Sequence, residues 1–461
     1  MTMTSSDTAN DPLLDSIAEL STRPTKELDH LPGDYGMPVF GNSFSILKNA
    51  RAFNRRMVAK FGTVYRSSAF FSRVVVFADA DAAQYALMDK EQNFSSSKGW
   101  FMLKHLLPGG ILVRDFANHR QHRRPLQLAF KSQVMAAYGD RLNTLIKEGL
   151  EDWPTDKEFL FQDHIKSLLL DNAATVFLGA ELGEESKKLN QAFVDLIGGI
   201  IAFFHKRIPG TKFDRAMRGS EYLKNWLHER IDERRGSSAT DIFTSLCHLA
   251  DDPENGMSAQ DVVGHTLLIL FAAHDTTTST LSTMMSVMAE HPQWQEAVRE
   301  EMLAVEGDSL SFQQVSDLPV TDRVFRETLR CFPAVFMIPR RAIRAFEYQG
   351  HKIPANTLIH VGVDQIHRSE KYWTNPNQFD PDRWLPERAE NKGHPFQWIP
   401  FGGGAHKCLG FKFADMQVKI FLFHLLRNYK IEAKKGKKFS IDLLPIPLPS
   451  DKLPVTMTRL R

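Results

Sequence analysis

The spacing of apolar and polar positions divides the chain into a short β-rich opening, a long helical middle, a β-rich return and a last helix. Phe53, Met57 and Phe61 share one helical stripe, so Arg51 to Phe61 is predicted as a helix. Val64 to Phe77, with its run Val74-Val75-Val76-Phe77, predicts a β-hairpin. Helical patterns dominate from about Asp79 to Arg330, broken at Pro108-Gly109-Gly110 and Pro209-Gly210. β signals return from Phe336 to Val363 around a turn at Gln349-Gly350, and Pro and Asn crowd Asn375 to Pro386. A final helix is predicted from about Phe411 to Tyr429, before a Pro-rich β tail. Helices and strands do not alternate regularly, which indicates an α+β, mostly α fold and not a doubly wound sheet. Residues 1–30 are mainly polar, with Ser, Thr, Asp and Glu throughout, and are expected to form a flexible tail, with 31–461 as a single domain.

The longest predicted helix starts near Ser258, where Ser258-Ala259-Gln260-Asp261 resembles a capping box with Asp in place of Glu. Leu267 to Ala273 is apolar nearly all round, so this helix should be buried, and His291-Pro292 should end it. It nevertheless carries His274, Asp275 and Thr276 to Thr278 in mid-course. Buried polar groups need partners or a task.

Composition narrows the function classes. The 461 residues are 43% apolar and 24% charged, as in a globular protein, and the net charge of +2 argues against a nucleic-acid binder. Three widely spaced cysteines, Cys247, Cys331 and Cys408, do not form a disulfide framework and point to a reducing compartment. Residues 1–30 contain neither a signal-peptide pattern nor an apolar run long enough to span a bilayer. The expectation is a cytoplasmic protein without a transmembrane anchor, a peripheral membrane contact remaining open. The 33 Phe against 8 Tyr suit an apolar pocket, and ordinary core packing equally well.

The segment Phe401-Gly402-Gly403-Gly404-Ala405-His406-Lys407-Cys408-Leu409-Gly410 has the strongest chemical content. Its glycines let backbone approach something flat and bulky, and Cys408 stands at the mouth of the last predicted helix, where backbone N–H groups favour a thiolate. A thiolate is the haem ligand that pushes electron density towards O–O cleavage. On its own the segment also fits a Gly-rich turn with an inert Cys. Glu327-Thr328-Leu329-Arg330 places both charges on one helix face, and Phe379-Asp380-Pro381-Asp382-Arg383-Trp384 sets another Arg in a rigid turn. Alone, the first is most often a surface ion pair. Ala272-Ala273-His274-Asp275-Thr276-Thr277 alone reads as a helix whose Thr hydroxyls bond back to the preceding turn.

In this order and at this spacing the four segments resemble the cytochrome P-450 superfamily, the haem-thiolate monooxygenases, over the chain from Leu31 to its end. The resemblance implies one cytochrome P-450 catalytic domain over 31–461, with heme b (iron protoporphyrin IX) as cofactor. Cys408 would be the sole protein ligand to iron, with Phe401, Gly402, Gly404 and Gly410 in the loop around it and Ala272 on the long helix. His119, Arg123, Arg340 and His406 would hold the propionates. Glu327, Arg330 and Arg383 would form a structural charge triad, and Asp275 with Thr276 the acid–alcohol pair that conducts protons. The chain departs from the common pattern at His406 (usually Arg), Ala273 (usually Gly) and His119 (usually Trp), and no required group is lost. Cys247 and Cys331 are expected in the core.

The resemblance also implies a substrate pocket lined by Trp100, Phe101, Met102, Phe203, Phe204, Phe271, Ala272, Val335, Phe336 and Met337. Leu31 to Pro38 and Pro209 to Phe213 are similar to segments of the retinoic-acid-hydroxylating group, related to the sterol-metabolising one. The implied substrate is a lipophilic small molecule that is retinoid, terpenoid, steroid or fatty-acid-like, placing the protein in lipid metabolism. With no flavin or iron–sulfur segment in the chain, electrons from NAD(P)H would arrive indirectly, through an acidic ferredoxin or flavodoxin with its reductase. Arg120, His122, Arg123, Arg124, Lys407, Lys412 and Lys419 would form the docking face. A peroxide-driven peroxygenase and a non-catalytic haem-based gas sensor or carrier are the rival readings.

Overall fold

The computed structural model describes residues 25–460 except 105, 181–182, 201–206, 251–256 and 435. Its strands are β1 (Gly33–Asp34), β2 (Val64–Ala69), β3 (Ser72–Phe77), β4 (Phe94–Ser95), β5 (Glu158–Leu160), β6 (Met337–Ala342), β7 (Phe346–Tyr348), β8 (His351–Ile353), β9 (Leu358–Gly362), β10 (Tyr429–Glu432), β11 (Ile441–Asp442), β12 (Leu448–Pro449) and β13 (Pro454–Arg459). Its helices are α1 (Ser43–Phe61), α2 (Ala80–Met88), α3 (Ser96–Gly99), α4 (Phe116–Leu128), α5 (Ser132–Glu151), α6 (Phe161–Leu178), α7 (Glu184–Ile200), α8 (Lys212–Arg235), α9 (Ile242–Ala250), α10 (Ala259–Glu290), α11 (Pro292–Leu303), α12 (Pro319–Cys331), α13 (Val363–His367) and α14 (Phe411–Asn428). The class is α+β with helix predominating.

The chain groups into two compact units, each discontinuous in sequence. The first comprises residues up to 104, Leu112–Gln121 and Arg330–Cys408. It holds a six-stranded sheet in the order β1-β2-β3-β9-β6-β4. The hairpin predicted over Val64 to Phe77 is present, with Val64 opposite Phe77 and Ala69 opposite Ser72. Val75, Phe77, Ile359 and Val361 lie in its core with Ala80, Ala83 and Ala86 of α2. Small residues on α2 let it pack close to the strands.

The predicted helix at Arg51 begins earlier, at Ser43, because two helical segments meet there. Asn49 leaves helical geometry (φ −164°, ψ 91°), and its side-chain oxygen accepts the Ala52 N–H at 2.9 Å, restarting the second segment. The pattern at Phe53, Met57 and Phe61 had marked that second segment alone.

The second unit comprises His105–Ile111, His122–Leu329 and Leu409–Arg461. α10 runs for 32 residues and begins at the predicted capping box: Ser258 Oγ accepts the Asp261 N–H at 3.2 Å, and the Asp261 carboxylate accepts the Ser258 N–H at 2.8 Å. His291 caps its end and Pro292 opens α11. α10 packs on α6, and α14 packs on α5, where Gly139 lies against Met416. The described residues contain no helix long and apolar enough to cross a membrane.

Candidate haem-thiolate site

In the first unit the loop from Phe401 to Cys408 is held by its own backbone. Gly402 N–H donates to the Ile399 carbonyl at 3.0 Å, and Cys408 N–H donates back to the Phe401 carbonyl at 2.8 Å. Gly402 and Gly404 take left-handed φ values of 67° and 63°. A Cβ on Gly404 would also run into the Leu87 carbonyl of α2, so glycine is required there twice over. Cys408 ends this loop with its side chain exposed, while Cys247 and Cys331 are buried as expected.

His119 and His406, 287 residues apart in sequence, bring their rings to 3.8 Å centroid to centroid. Arg340 lies on β6 with only 4% of its surface exposed. Among the described residues its guanidinium donates to one group, the Pro339 carbonyl at 2.9 Å. Burial pushes its pKa down to about 10, against the pull of Asp115 and Asp89. Asp115 is itself satisfied: its carboxylate accepts from Ser95 Oγ at 2.8 Å, from the Ser96 N–H at 2.6 Å and from Ser97 Oγ. A buried guanidinium with a single carbonyl acceptor is a receptor for a carboxylate, and it fits a haem propionate. An exposed thiol at the end of a loop with three glycines fits the metal.

The meander, residues 367–390, is locked by two arginines. Glu327, Arg330 and Arg383 are fully buried. Arg330 donates to the carbonyls of His367 and Pro376, both at 2.8 Å, and of Gln378 at 3.0 Å. Arg383 donates to the Thr374 carbonyl at 2.9 Å and to the Glu390 carboxylate at 2.7 Å. Burial raises the Glu390 carboxyl, but bonds from Arg388 and Thr374 and the Arg383 charge outweigh it and hold its pKa below the usual range. Sequence reasoning missed Glu390. It also missed the Arg51–Asp364 pair at 2.9 Å, joined 313 positions apart, which no local pattern announces.

In the second unit, Ala272 is exposed and Phe271, Ala273, Asp275 and Thr276 are half-buried, in the middle of an otherwise buried α10. Thr276 Oγ1 donates to the Ala272 carbonyl at 2.6 Å. His274 faces the acid. Its Nδ1 lies 2.9 Å from Asp275 Oδ1 and its Nε2 lies 3.2 Å from the Lys166 carbonyl on α6. A carbonyl only accepts, so that bond puts a hydrogen on Nε2. Nδ1 then meets Asp275 either as acceptor from a carboxylic acid or as the second N–H of an imidazolium.

Two residues of the expected docking face are corrected. His122 is buried, its Nδ1 3.1 Å from His265 Nε2. Lys419 is buried too, paired with Asp415 at 2.9 Å and donating to the Val315 carbonyl at 3.0 Å. Both side chains are turned inward by the amphipathic register of their helices. Arg120, Arg124, Lys407 and Lys412 are exposed and Arg123 is half-buried. Of the expected pocket residues, Trp100, Phe101, Val335 and Met337 are half-buried, Met102 is exposed and Phe336 is buried. Arg341 lies over the Phe101 ring at 5.4 Å. Phe203 and Phe204 lie outside the described residues.

Comparison with known proteins agrees with this chemistry. The family model described as Cytochrome P450 matches residues 31–456. A Mycobacterium tuberculosis protein bearing the name cytochrome P450 136 is 31% identical over 94% of this chain and 89% of its own length. Abscisic acid 8'-hydroxylase 4 of Arabidopsis thaliana is 26% identical over 93% of this chain and 92% of its own. Among solved structures, retinoic acid-bound cyanobacterial CYP120A1 superposes with a TM-score of 0.84 at 27% identity, covering 93% of this chain and 99% of that one. With a family match over nearly its whole length and hydroxylases among its relatives, the chain belongs to the cytochrome P450 family and is a cytochrome P450 monooxygenase.

Proposed function

We propose that residues 31–461 act as one catalytic domain that hydroxylates a lipophilic small molecule with O₂, using electrons delivered by a separate acidic ferredoxin or flavodoxin and its reductase. The observation that carries this reading is the half-buried acid–alcohol pair Asp275–Thr276 beside the exposed Ala272, where an otherwise largely buried helix opens to solvent. A peroxygenase needs no proton path of this kind, and a carrier needs none at all.

Heme b, when bound, supplies the activation of O₂ and the oxidation of the substrate carbon. Cys408 would hold it through Sγ, with Phe401, Gly402, Gly410 and Ala272 against it. Arg340, His119, His406 and Arg123 would hold its propionates as N–H donors. Thr276 Oγ1, which both donates and accepts, would pass protons on, and Asp275, beside the His274 ring, would supply them. Glu327, Arg330 and Arg383 keep the meander in place and take no part in the chemistry.

A retinoid, terpenoid, steroid or fatty-acid-like substrate suits the apolar candidates Trp100, Phe101, Met102, Phe271, Val335 and Met337, and the retinoic acid bound to the cyanobacterial structure and the abscisic acid named for the Arabidopsis relative lie in the same chemical range. With Phe336 buried, Val335 and Met337 are the accessible contacts of that segment. A cytoplasmic role in lipid metabolism follows from this reading. The test is turnover: a lipid library is screened for the haem spectral shift of water displacement, and each hit is incubated with NADPH, ferredoxin and ferredoxin reductase under O₂. Hydroxylated product is expected. Product only with peroxide would favour the peroxygenase, and no product with either would favour the carrier.

A further inference from the structure

The first unit brings three cations together beside the expected substrate contacts. Lys98 lies on α3 and Arg341 on β6, and Ser95 pairs with Arg341 where β4 meets β6, so α3 starts beside the arginine's strand. The helix then lies on the backbone of that strand. A Cβ on Gly99 would stand 2.8 Å from the Pro339 carbonyl oxygen and 2.9 Å from the Arg340 Cα, so only glycine allows this approach. After Trp100 the chain turns, the Leu103 N–H donating to the Trp100 carbonyl at 2.9 Å, and Lys104 follows. Arg341 is fully buried, Lys98 half-buried and Lys104 exposed. Burial, then the Lys104 and Arg341 charges, push the Lys98 pKa down against the pull of Asp115.

No acid neutralises the lysines. Among the described residues neither is ion-paired, and Asp115 is the one carboxylate whose charge reaches Lys98. Asp115 is already engaged: it accepts from Ser95 Oγ at 2.8 Å, from the N–H groups of Ser96 at 2.6 Å and Ser97 at 3.3 Å, and from Ser97 Oγ. Like charges held this close favour an anion between them.

Trp100 is an independent observation. Its indole N–H is closed off from solvent and meets no acceptor among the described residues. A buried donor left unmade costs stability, and a ligand oxygen would satisfy it. The surroundings are apolar: the Phe101 ring lies 5.4 Å from the Arg341 guanidinium, and Val335 and Met337 are half-buried at the start of β6. An ammonium and one N–H match the two oxygens of a carboxylate, with apolar surface beside them for the rest of the molecule. The haem propionates do not need this set, since Arg340, His119, His406 and Arg123 would already supply their donors.

We propose that Lys98 and the Trp100 indole N–H form a carboxylate subsite, so that the preferred substrate is a lipophilic carboxylic acid bound as its anion. This rests on the reading of the chain as a hydroxylase of lipophilic molecules and narrows it. Lys104 and Arg341 supply the field that draws the anion in, and Phe101, Val335 and Met337 take the start of its apolar body.

Matched ligand pairs test this. The haem-loaded full-length protein is titrated at neutral pH with palmitic, retinoic and dehydroabietic acids, each against its methyl ester, and the haem spectral shift gives the affinities. The acids are expected to bind about tenfold or more tightly than their esters. Lys98→Met should lower that preference about tenfold and Lys98→Arg should restore it. Trp100→Phe, which keeps a ring and removes the N–H, should lower it about fivefold. The CO-difference spectrum reports that each variant is folded and loaded. Equal affinity for acids and esters, a preference that survives both Lys98→Met and Trp100→Phe, or lipid-library hits confined to uncharged molecules would overturn the proposal and leave the hydroxylase reading standing. Faster haem release from Lys98→Met at an unchanged acid-to-ester ratio would also overturn it, the carboxylate bound then being a haem propionate. A spectral shift with no lipid of any kind would sink the hydroxylase reading, and the subsite with it.

Discussion

Arg340 should be retained for the cofactor at a cost to the chain, and its replacement puts a number on that. The fall of its pKa from the ordinary guanidinium value to about 10 corresponds to ~3 kcal/mol of lost solvation not made good by the Asp115 and Asp89 charges. At 4% exposure little of this is relieved by solvent. A charge-assisted hydrogen bond to a carboxylate contributes about 1.5–3 kcal/mol, and the Pro339 carbonyl offers none of that charge. Arg340→Met keeps an apolar stem and removes the guanidinium and its charge. Asp115 keeps its serine partners and Asp89 its bonds from the Asn93 and Phe94 N–H groups, so the deletion strands neither carboxylate. Haem transfer from the variant to a scavenger apoprotein is expected to be about 10- to 150-fold faster, with unchanged far-UV circular dichroism. Arg340→Lys, which keeps a charge without the fork, should fall between. A release rate equal to wild type in Arg340→Met would refute the assignment of Arg340 to a propionate.

Cys408→Ser should abolish the red-shifted Soret band of the reduced CO complex while Cys247→Ser and Cys331→Ser, both core substitutions, retain it. Thr276→Ala should preserve haem content and raise NADPH consumed per product by about an order of magnitude, with peroxide released; His274→Ala should give a smaller rise, and unchanged coupling in both would place the proton path elsewhere. Reduction by ferredoxin should slow as salt rises, and Lys412→Glu or Arg124→Glu should slow it further at constant substrate affinity, measured by stopped flow. His424 is pushed down to about 4 by burial and the nearby Lys147 and Arg427 charges, so its folded-state pKa lies below its unfolded one. Its contribution, up to ~3 kcal/mol, is full above about pH 6.5 and lost as pH falls towards 4, and His424→Gln should flatten urea-unfolding stability over that window.

What was legible in the sequence was whatever depends on local period and local chemistry. The capping box at Ser258, the stop at His291-Pro292, the hairpin over Val64 to Phe77 and the helix from Phe411 follow from spacing alone and occur where expected. The start of α1 was hidden because Asn49 breaks the helical period seven residues into the helix. His122 and Lys419 were misplaced because charge type was read without register: each lies on the buried face of its helix. The residues that position the candidate site, Asp115 for the Ser95–Ser97 backbone and Glu390 for Arg383, act through contacts made by folding, and a sequence of ordinary acids gives no sign of them.

The most informative residues are those where local rules fail without repair by packing. In the hydrophobic middle of α10, His274, Asp275 and Thr276 would weaken a purely structural helix, yet each has a partner: the Lys166 carbonyl, the His274 ring and the Ala272 carbonyl. Satisfaction explains how they are tolerated and leaves open why they are present, since Ala or Leu at those positions would need no partners at all. The accessible surface of the helix opens at the same residues, as the proposed passage of protons from Asp275 and Thr276 to a reacting molecule would require. The Phe70-Phe71 turn shows the reverse failure: apolar groups in solvent on backbone that favours Asn-Gly.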